Sequence, residues 1–452
     1  MVFFEKEIIK LQIKTLVYRG YGLGFKQGLA IFVEYSVPGD IVDVEIITKK
    51  KGYLRARIKR FHKRSSQRIK PKCKLFGRCG GCDWQFMPYE TQLLYKQEII
   101  TDFMNKLKGF QYNININKIV KADNTFFYRN KVILPVGKDD NEISIGFYKK
   151  GTHKIIPQVK CYLQPDIVNS IIQDIRIYCQ IANISIYNEN NRKGNLRYIG
   201  FRLGMKLNEI VLFLVTTLKK LPQITHLYEL LIQKYPSIVG IVQNINTQEG
   251  NYVLGKSEKI HFGRSYIYEQ IGNKKFKIDY KSFFQINIEQ TEKLYNIVAN
   301  ILHKEHSKLV IDAYCGTGSI GMYCADIVDQ IIGIENNPQS IIDGNENLYL
   351  NNVHNYRFIL GKIKDQIGTV LSDKSVDTII FDPPRIGIDK EVIHYVAQRK
   401  IKNIIYISCD PATQIRDLNI LLKFGYKIEN VYPIDMFPQT YHIENVVHIK
   451  KE

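Results

Sequence analysis

The chain is 452 residues long, with 45% hydrophobic and 24% charged residues, and this balance excludes an intrinsically disordered or a membrane-embedded protein. The formal net charge of +20 at pH 7 favours a polyanionic partner. No stretch approaches the roughly eighteen apolar residues that span a bilayer. Charges at Glu5, Lys6, Glu7 and Lys10 interrupt any apolar core of signal-peptide length, so we do not expect secretion. We therefore expect a cytoplasmic monomer of two or three domains.

Short apolar runs separated by turns make up the first region, residues 1–62. Residues 30–33 and 41–44 are such runs, and the Pro-Gly-Asp turn at 38–40 lies between them. The pattern predicts a small OB-like β-barrel. The first 72 residues contain 17 Lys and Arg against 6 Asp and Glu, which suits phosphate contacts, although a solvated basic face without a partner stays open.

The middle region, residues 63–265, mixes helical and strand-like patterns. Residues 89–106 predict a helix and residues 210–215 predict a strand, so we expect an α+β domain. The Asn-rich residues 188–195 predict an exposed loop.

A group of cysteines is the most distinctive feature of this middle region. Cys73, Cys79 and Cys82 have glycines between them that let three thiolates converge on one centre, and Cys161 is the candidate fourth ligand. Four cysteines suit a [4Fe-4S] cluster or, alternatively, a zinc ion. Nearby side chains could stack on bases or neutralise phosphates, although we expect some of the aromatics to be ordinary core residues: Trp84, Phe86, Tyr128, Arg129, Lys131 and Arg197.

Strand-like runs alternate with helical stretches from residue 266 to residue 452. The runs are residues 308–313, 330–335, 378–381 and 403–408. This alternation predicts a mostly parallel sheet flanked by helices, in which ligands bind at the carboxyl ends of the strands.

A glycine turn follows the first of these runs. The turn contains Gly316, Gly318 and Gly321, and the acidic Glu335 follows about 20 residues further on. This pattern occurs at binding sites for NAD and for methyl donors. The Asp-Pro-Pro-Arg segment at 382–385 adds a carboxylate and a stiff turn beside the same cleft, and this favours a methyl donor.

Cys409 follows the run at 403–408 and is the candidate nucleophile. One methyl transfer that needs such a thiol is the methylation of uracil at C5. This carbon is a poor nucleophile, but addition of a thiolate to C6 creates an enolate whose charge reaches C5. Arg385 or Arg416 could assist the thiolate. Loss of the C5 proton then requires a base, for which Glu444 is the candidate and His442 the second choice.

Taken together, these motifs resemble the RNA uracil-5-methyltransferase family. The resemblance rests on the four cysteines, on the Asp-Pro-Pro-Arg, Ser-Cys-Asp-Pro and His-Ile-Glu segments, and on a TRAM-like pattern over residues 17–40. It implies a TRAM barrel at 1–62, an RNA-binding domain with a [4Fe-4S] cluster at 63–265, and a class I methyltransferase domain at 266–452. Asp410 and Asn445 depart from the family, which often has Asn and Thr there.

The resemblance also implies roles for single residues. Cys409 would be the nucleophile and Glu444 the proton acceptor, while S-adenosylmethionine would contact Gln285, Tyr314, Glu335 and Asp382. The family segment at 128–131 would contact RNA. The chain looks most like members that act on 23S ribosomal RNA, with transfer RNA as the alternative substrate.

Three other functions compete with this one. An RNA cytosine-5-methyltransferase would carry a second cysteine near residues 382–387, which contain none. An NAD-dependent oxidoreductase with an RNA-binding appendage and a non-catalytic RNA-binding protein remain as candidates from other classes.

Overall fold

A computed structural model describes residues 6–107, 114–139, 142–220, 224–250, 252–372 and 375–451. Residues 1–5 of the predicted first domain lie outside these ranges. None of the described helices is long and apolar enough to cross a membrane.

The first region folds into a six-stranded sheet in the order β1-β5-β6-β4-β3-β2. Along β5, buried Val42, Val44 and Ile46 alternate with more exposed side chains, as expected of strands with one face on a core. The strands predicted at 30–33 and 41–44 are both present. The strands are β1 (Ile8–Gln12), β2 (Thr15–Val17), β3 (Tyr21–Lys26), β4 (Leu29–Val33), β5 (Ile41–Lys50) and β6 (Tyr53–Lys63).

The segment after β6 crosses to the C-terminal part of the molecule. Helix α1 (Tyr89–Met104) confirms the helix predicted at 89–106, and its apolar face joins the core of the C-terminal sheet. Lys96 of this helix forms a fully buried ion pair with Asp435, with 2.5 Å between Nζ and Oδ1. Helix α1 therefore packs with the C-terminal region. The sequence predicted it as part of the middle domain, residues 63–265.

The middle region forms a seven-stranded sheet in the order β13-β12-β11-β10-β7-β8-β9, with two helices packed on its hydrophobic core. The strand predicted at 210–215 lies in β11, and the predicted loop at 188–195 is exposed except near its end, where Asn195 is buried. The elements are β7 (Lys131–Asp139), β8 (Glu142–Tyr148), β9 (Ile155–Pro157), α2 (Asp166–Ile181), β10 (Leu196–Gly204), β11 (Glu209–Thr216), α3 (Ile224–Lys234), β12 (Ile238–Ile245) and β13 (Ser257–Gly263).

A hairpin of β14 (Tyr266–Ile271) and β15 (Lys274–Asp279) leads into the C-terminal sheet, whose order is β18-β17-β16-β19-β20-β22-β21. The four predicted runs correspond to β16, β17, β19 and β20, which are parallel. The remaining elements are α4 (Ile288–Lys304), β16 (Leu309–Ala313), α5 (Ser319–Cys324), β17 (Gln330–Glu335), α6 (Pro338–Leu350), β18 (Tyr356–Leu360), α7 (Ile363–Ser372), β19 (Thr378–Phe381), α8 (Lys390–Gln398), β20 (Asn403–Ser408), α9 (Pro411–Lys423), β21 (Tyr426–Ile434) and β22 (Glu444–Lys451).

Two features of this sheet position a ligand site. The strand order reverses between β16 and β19, so their connecting loops diverge and leave a crevice at the carboxyl ends. Strand β22 is antiparallel to both β20 and β21, and its first residue, Glu444, therefore starts at the same edge where β20 ends.

Candidate active site

A cavity of about 780 Å³ lies at this carboxyl edge. Loops after β16, β17, β19 and β20 supply most of its wall. The structure brings all six predicted catalytic and cofactor-binding residues into this one cavity: Gln285, Tyr314, Glu335, Asp382, Cys409 and Glu444.

The glycine turn after β16 forms one end of the cavity. Tyr314, Gly316 and Gly318 all have positive φ, at 60°, 56° and 74°, which turns the chain sharply into α5. A Cβ on Gly316 would meet nothing within 4 Å, so the approach to this backbone is open to a ligand.

Glu335 closes the next strand beside this turn. One of its carboxylate oxygens accepts a hydrogen bond from Gly316 N at 3.0 Å, and the other accepts from Asn336 N and Asn337 N at 2.8 Å each. A carboxylate offers about four lone-pair sites, so acceptor capacity remains for the hydroxyls of a ribose. The backbone fixes the carboxylate before any ligand arrives.

Asp382 lies at the floor of the cavity, where burial and then the nearby Asp312 raise its pKa to about 7. Burial also raises the pKa of Asp312 to about 7, against the effect of hydrogen bonds from Gly321 N and Tyr356 Oη, both at 3.1 Å. A positively charged ligand in the cavity would favour the ionised form of Asp382.

Cys409 stands between β20 and α9. Asp410 accepts hydrogen bonds from Ala412 N and Thr413 N and so caps α9, and Ser408 Oγ bonds the backbone of Asp410 on the other side. These bonds fix the two neighbours of the cysteine. The short turn therefore holds the Cys409 thiol at the cavity wall.

The charges around this thiol have opposite effects. Burial, and then the negative charge of Glu444, raise the pKa of Cys409 to about 11, while Arg385 lowers it by its charge and by a hydrogen bond. Arg416 instead donates to Asp417 Oδ1 and to the Ile386 carbonyl, both at 2.8 Å. Arg385, of the two arginines considered, is the one that can favour the thiolate.

Glu444 and His442 line the same cavity. Burial and the neighbouring Asp382 raise the pKa of Glu444 well above its usual value. Burial and the charge of Arg385 lower the pKa of His442 to about 4, so its imidazole is neutral at pH 7. A carboxylate with a raised pKa is a stronger proton acceptor than an ordinary one.

Contacts from the N-terminal sheet to this site were not foreseen from the sequence. Tyr18 hydrogen-bonds to Asp410, next to the cysteine, and its ring lies 6.2 Å from that of Tyr441. Tyr441 in turn lies 4.2 Å from the His442 ring. Phe283 is another unforeseen wall residue, with 76% of its surface exposed. No local motif signals these contacts, because they depend on how distant segments pack.

The four cysteines of the middle region meet at a separate cavity, which Cys73, Cys79, Cys82 and Cys161 all line. The described residues contain no set of three or more His, Cys, Asp or Glu side chains arranged around a single metal ion. Arg129 also lines this cavity, and its buried Nε has no hydrogen-bond partner in the described part of the chain. An unpaired cationic donor beside four thiols fits a negatively charged group bound among them.

Most of the predicted RNA-contacting side chains are instead structural. Trp84, Phe86 and Tyr128 are 0%, 3% and 4% exposed, so these three aromatics are the core residues expected among the group and do not stack on RNA. Lys131 is tied to backbone carbonyls of residues 281 and 282. Three cysteines outside this group, Cys179, Cys315 and Cys324, are also buried, as is usual for cysteines that pack as small apolar residues.

Comparison with known proteins adds independent findings. A family model described as tRNA (uracil-5-)-methyltransferase matches residues 200–452. Proteins named uncharacterised RNA methyltransferase match over almost the whole chain: one from Bacillus cereus is 35% identical, covering 99% of this chain and 97% of its own, and one from Clostridium acetobutylicum is 37% identical, covering 96% and 94%.

A solved structure is similar over the same extent. It is the tRNA (uracil-54, C5)-methyltransferase of Pyrococcus abyssi in complex with S-adenosyl-L-homocysteine, with a TM-score of 0.80 and 26% identity, covering 98% of this chain and 100% of that one. The similarity thus includes the N-terminal sheet and the middle region as well as the C-terminal sheet.

Proposed function

Because the chain belongs to the RNA uracil-5-methyltransferase family, we propose that it transfers a methyl group from S-adenosylmethionine to C5 of a uridine in RNA, giving 5-methyluridine. The observation that carries the proposal is the meeting of Cys409, Asp382 and Glu444 in one cavity beside the glycine turn. Membership of this family, rather than the glycine turn, separates this function from that of an NAD-dependent oxidoreductase.

The residues around the glycine turn suit the cofactor. Glu335 has acceptor capacity for the ribose hydroxyls, while Tyr314 and Gln285 line the wall and Asp382 can face the positively charged end. When bound, S-adenosylmethionine supplies the methyl group and leaves as S-adenosylhomocysteine.

Cys409 and Glu444 divide the remaining chemistry. The Cys409 thiolate, favoured by Arg385, forms a bond to C6 of the uracil and leaves the negative charge on C5 and O4. After methylation of C5, Glu444 accepts the C5 proton, the C6–S bond breaks and the thiolate is regenerated. His442, neutral at pH 7, can accept a hydrogen bond or donate one at the same wall.

Two RNA classes compete as substrate. The sequence favours 23S ribosomal RNA, because the predicted N-terminal barrel and the cysteine group make the chain look more like family members that act on that RNA. However, the similarity to the P. abyssi tRNA enzyme covers 98% of this chain, so an N-terminal sheet and a middle region do not separate the two RNA classes. We therefore propose 23S ribosomal RNA and transfer RNA as equally supported candidates.

The first test uses the purified protein with methyl-labelled S-adenosylmethionine. Unmodified 23S ribosomal RNA and unmodified transfer RNA are supplied separately, and 5-methyluridine is mapped by mass spectrometry. We expect the product in one RNA class at a defined position. Product in neither class, or methylation of cytidine, would contradict the proposal.

For the cysteine centre we propose a [4Fe-4S] cluster held by Cys73, Cys79, Cys82 and Cys161, with a structural rather than catalytic role. Support comes from the four thiols around one cavity and from the buried Arg129 Nε, which has no partner among the described residues. Iron, sulfide and zinc analysis of anaerobically purified protein tests it. Stoichiometric zinc without iron would show that the alternative is correct.

A further inference from the structure

A second large cavity, of about 760 Å³, lies on the middle sheet. Its walls come from β7, β8, β10, the residues just before β9, and the loop at 186–190, and it shares no residue with the active-site cavity. Nothing in the chemistry proposed above uses it. We call it the middle-sheet pocket.

Aromatic rings form much of the wall of the middle-sheet pocket. Tyr148, Tyr187 and Tyr198 line it together with His153. The rings of Tyr148 and His153 are 5.2 Å apart between centroids. Tyr187 is partly buried and lines the pocket, and the Arg197 guanidinium lies over its ring, so a planar ligand would stack on the opposite face.

Arg197 supplies a donor that the protein leaves unused. The side chain is only 5% exposed, and its guanidinium lies between Tyr187 and Tyr198, with its central carbon 4.7 and 5.9 Å from the two ring centroids. Nη1 donates to the carbonyls of Asn246 and Gln248. The buried Nε has no partner among the described residues, and such a donor is costly unless a ligand accepts from it.

The charges at the rim favour an anionic ligand. Lys138 and Lys154 line the mouth, and with Arg197 they outweigh the one carboxylate, Glu189. Glu189 accepts hydrogen bonds from Tyr148 Oη at 3.4 Å and His153 Nδ1 at 2.9 Å. These two hydrogen bonds hold the Tyr148 and His153 rings in the wall and use part of the acceptor capacity of the carboxylate.

We propose that the middle-sheet pocket binds an unpaired nucleotide of the RNA substrate, away from the uridine that is methylated. The base stacks on Tyr187, and the phosphate is neutralised by Lys138 and Lys154 while Arg197 Nε donates to the nucleotide. Single-stranded nucleotides are recognised in proteins by this combination of aromatic faces and cations. The inference rests on the proposed function only in taking RNA as the partner.

Crosslinking of the full-length protein tests where RNA lies. Transcripts of 23S ribosomal RNA and of a transfer RNA, made with 4-thiouridine, are irradiated with the protein, and crosslinked peptides are mapped. We expect crosslinks within residues 148–154 or 186–190. Crosslinks confined to other segments would overturn the proposal.

Equilibrium binding supplies the second measurement, with the same transcripts and no S-adenosylmethionine. Tyr187→Ala should weaken binding roughly 5- to 100-fold, the range expected for one stacked base, and Tyr187→Phe should retain it. Tyr349→Ala is the matched control, since Tyr349 is 88% exposed on α6 and lines neither cavity. An unchanged melting temperature shows that each variant folds.

The outcomes separate this proposal from the methylation proposal. Binding by Tyr187→Ala equal to that of the Tyr349→Ala control overturns the pocket, whether or not 5-methyluridine forms. Crosslinks in the pocket with a selective loss in Tyr187→Ala support it even if no methyl transfer is found, in which case the proposed reaction fails alone.

Discussion

Replacement of Glu444 by Gln should separate formation of the covalent RNA adduct from its breakdown. Glu444 is buried at the cavity wall, and its negative charge raises the pKa of Cys409. Glutamine cannot carry this charge, so the thiolate is at least as favoured as in the wild type, and addition to C6 is as fast as in the wild type or faster. The same change removes the acceptor for the C5 proton.

Loss of a positioned general base typically slows a reaction about 10²- to 10⁴-fold. We therefore expect Glu444→Gln to release 5-methyluridine that much more slowly and to accumulate a covalent protein–RNA complex with ordinary uridine RNA. Denaturing gel electrophoresis of labelled RNA measures the complex, and single-turnover kinetics measure release. Glu429→Gln, an exposed glutamate on neighbouring β21, is the control. Turnover by Glu444→Gln within about twofold of the wild type would refute this role.

Three further changes test other parts of the site. The pKa of Cys409 is about 11, so the rate of adduct formation should rise with pH between 6 and 9. Because Arg385 lowers this pKa, Arg385→Gln should form the adduct more slowly at every pH below the thiol pKa. A pH-independent rate of adduct formation would contradict this. Glu335→Ala should weaken S-adenosylmethionine binding about 10- to 100-fold in calorimetry by removing charged hydrogen bonds, whereas Glu346→Ala on the exposed side of α6 should not. Lys96→Met should lower the free energy of unfolding, measured by denaturant titration, by about 3–5 kcal/mol, because it leaves the buried Asp435 carboxylate without its ion-pair partner. The double variant with Asp435→Leu should recover much of that loss.

The sequence predicts the C-terminal sheet well because each buried strand there is a continuous apolar run. Residues 330–335, 378–381 and 403–408 coincide with β17, β19 and β20. Since parallel strands place their carboxyl ends at one edge, the residues that follow them must be near one another. The meeting of Asp382 and Cys409 follows from that rule alone.

Features that depend on packing between distant segments were not predictable. The position of helix α1 in the sequence indicates the middle region. Its buried Lys96 nevertheless forms an ion pair with Asp435, 339 residues away. Tyr18 reaches Asp410 in the same way. Local patterns also cannot tell an aromatic that stacks on RNA from one that fills a core, so they leave the role of Trp84 open and do not predict the middle-sheet pocket.

The central claim is that Cys409 attacks C6 of a uracil, and RNA containing 5-fluorouridine tests it most directly. Fluorine replaces the C5 proton, so Glu444 has nothing to remove and the C6–S bond cannot break again. With S-adenosylmethionine present, the wild-type protein should form a stable protein–RNA adduct that maps to the peptide containing Cys409, and Cys409→Ala should form none. An adduct of equal yield in Cys409→Ala, or one mapped to another cysteine, would contradict the assignment.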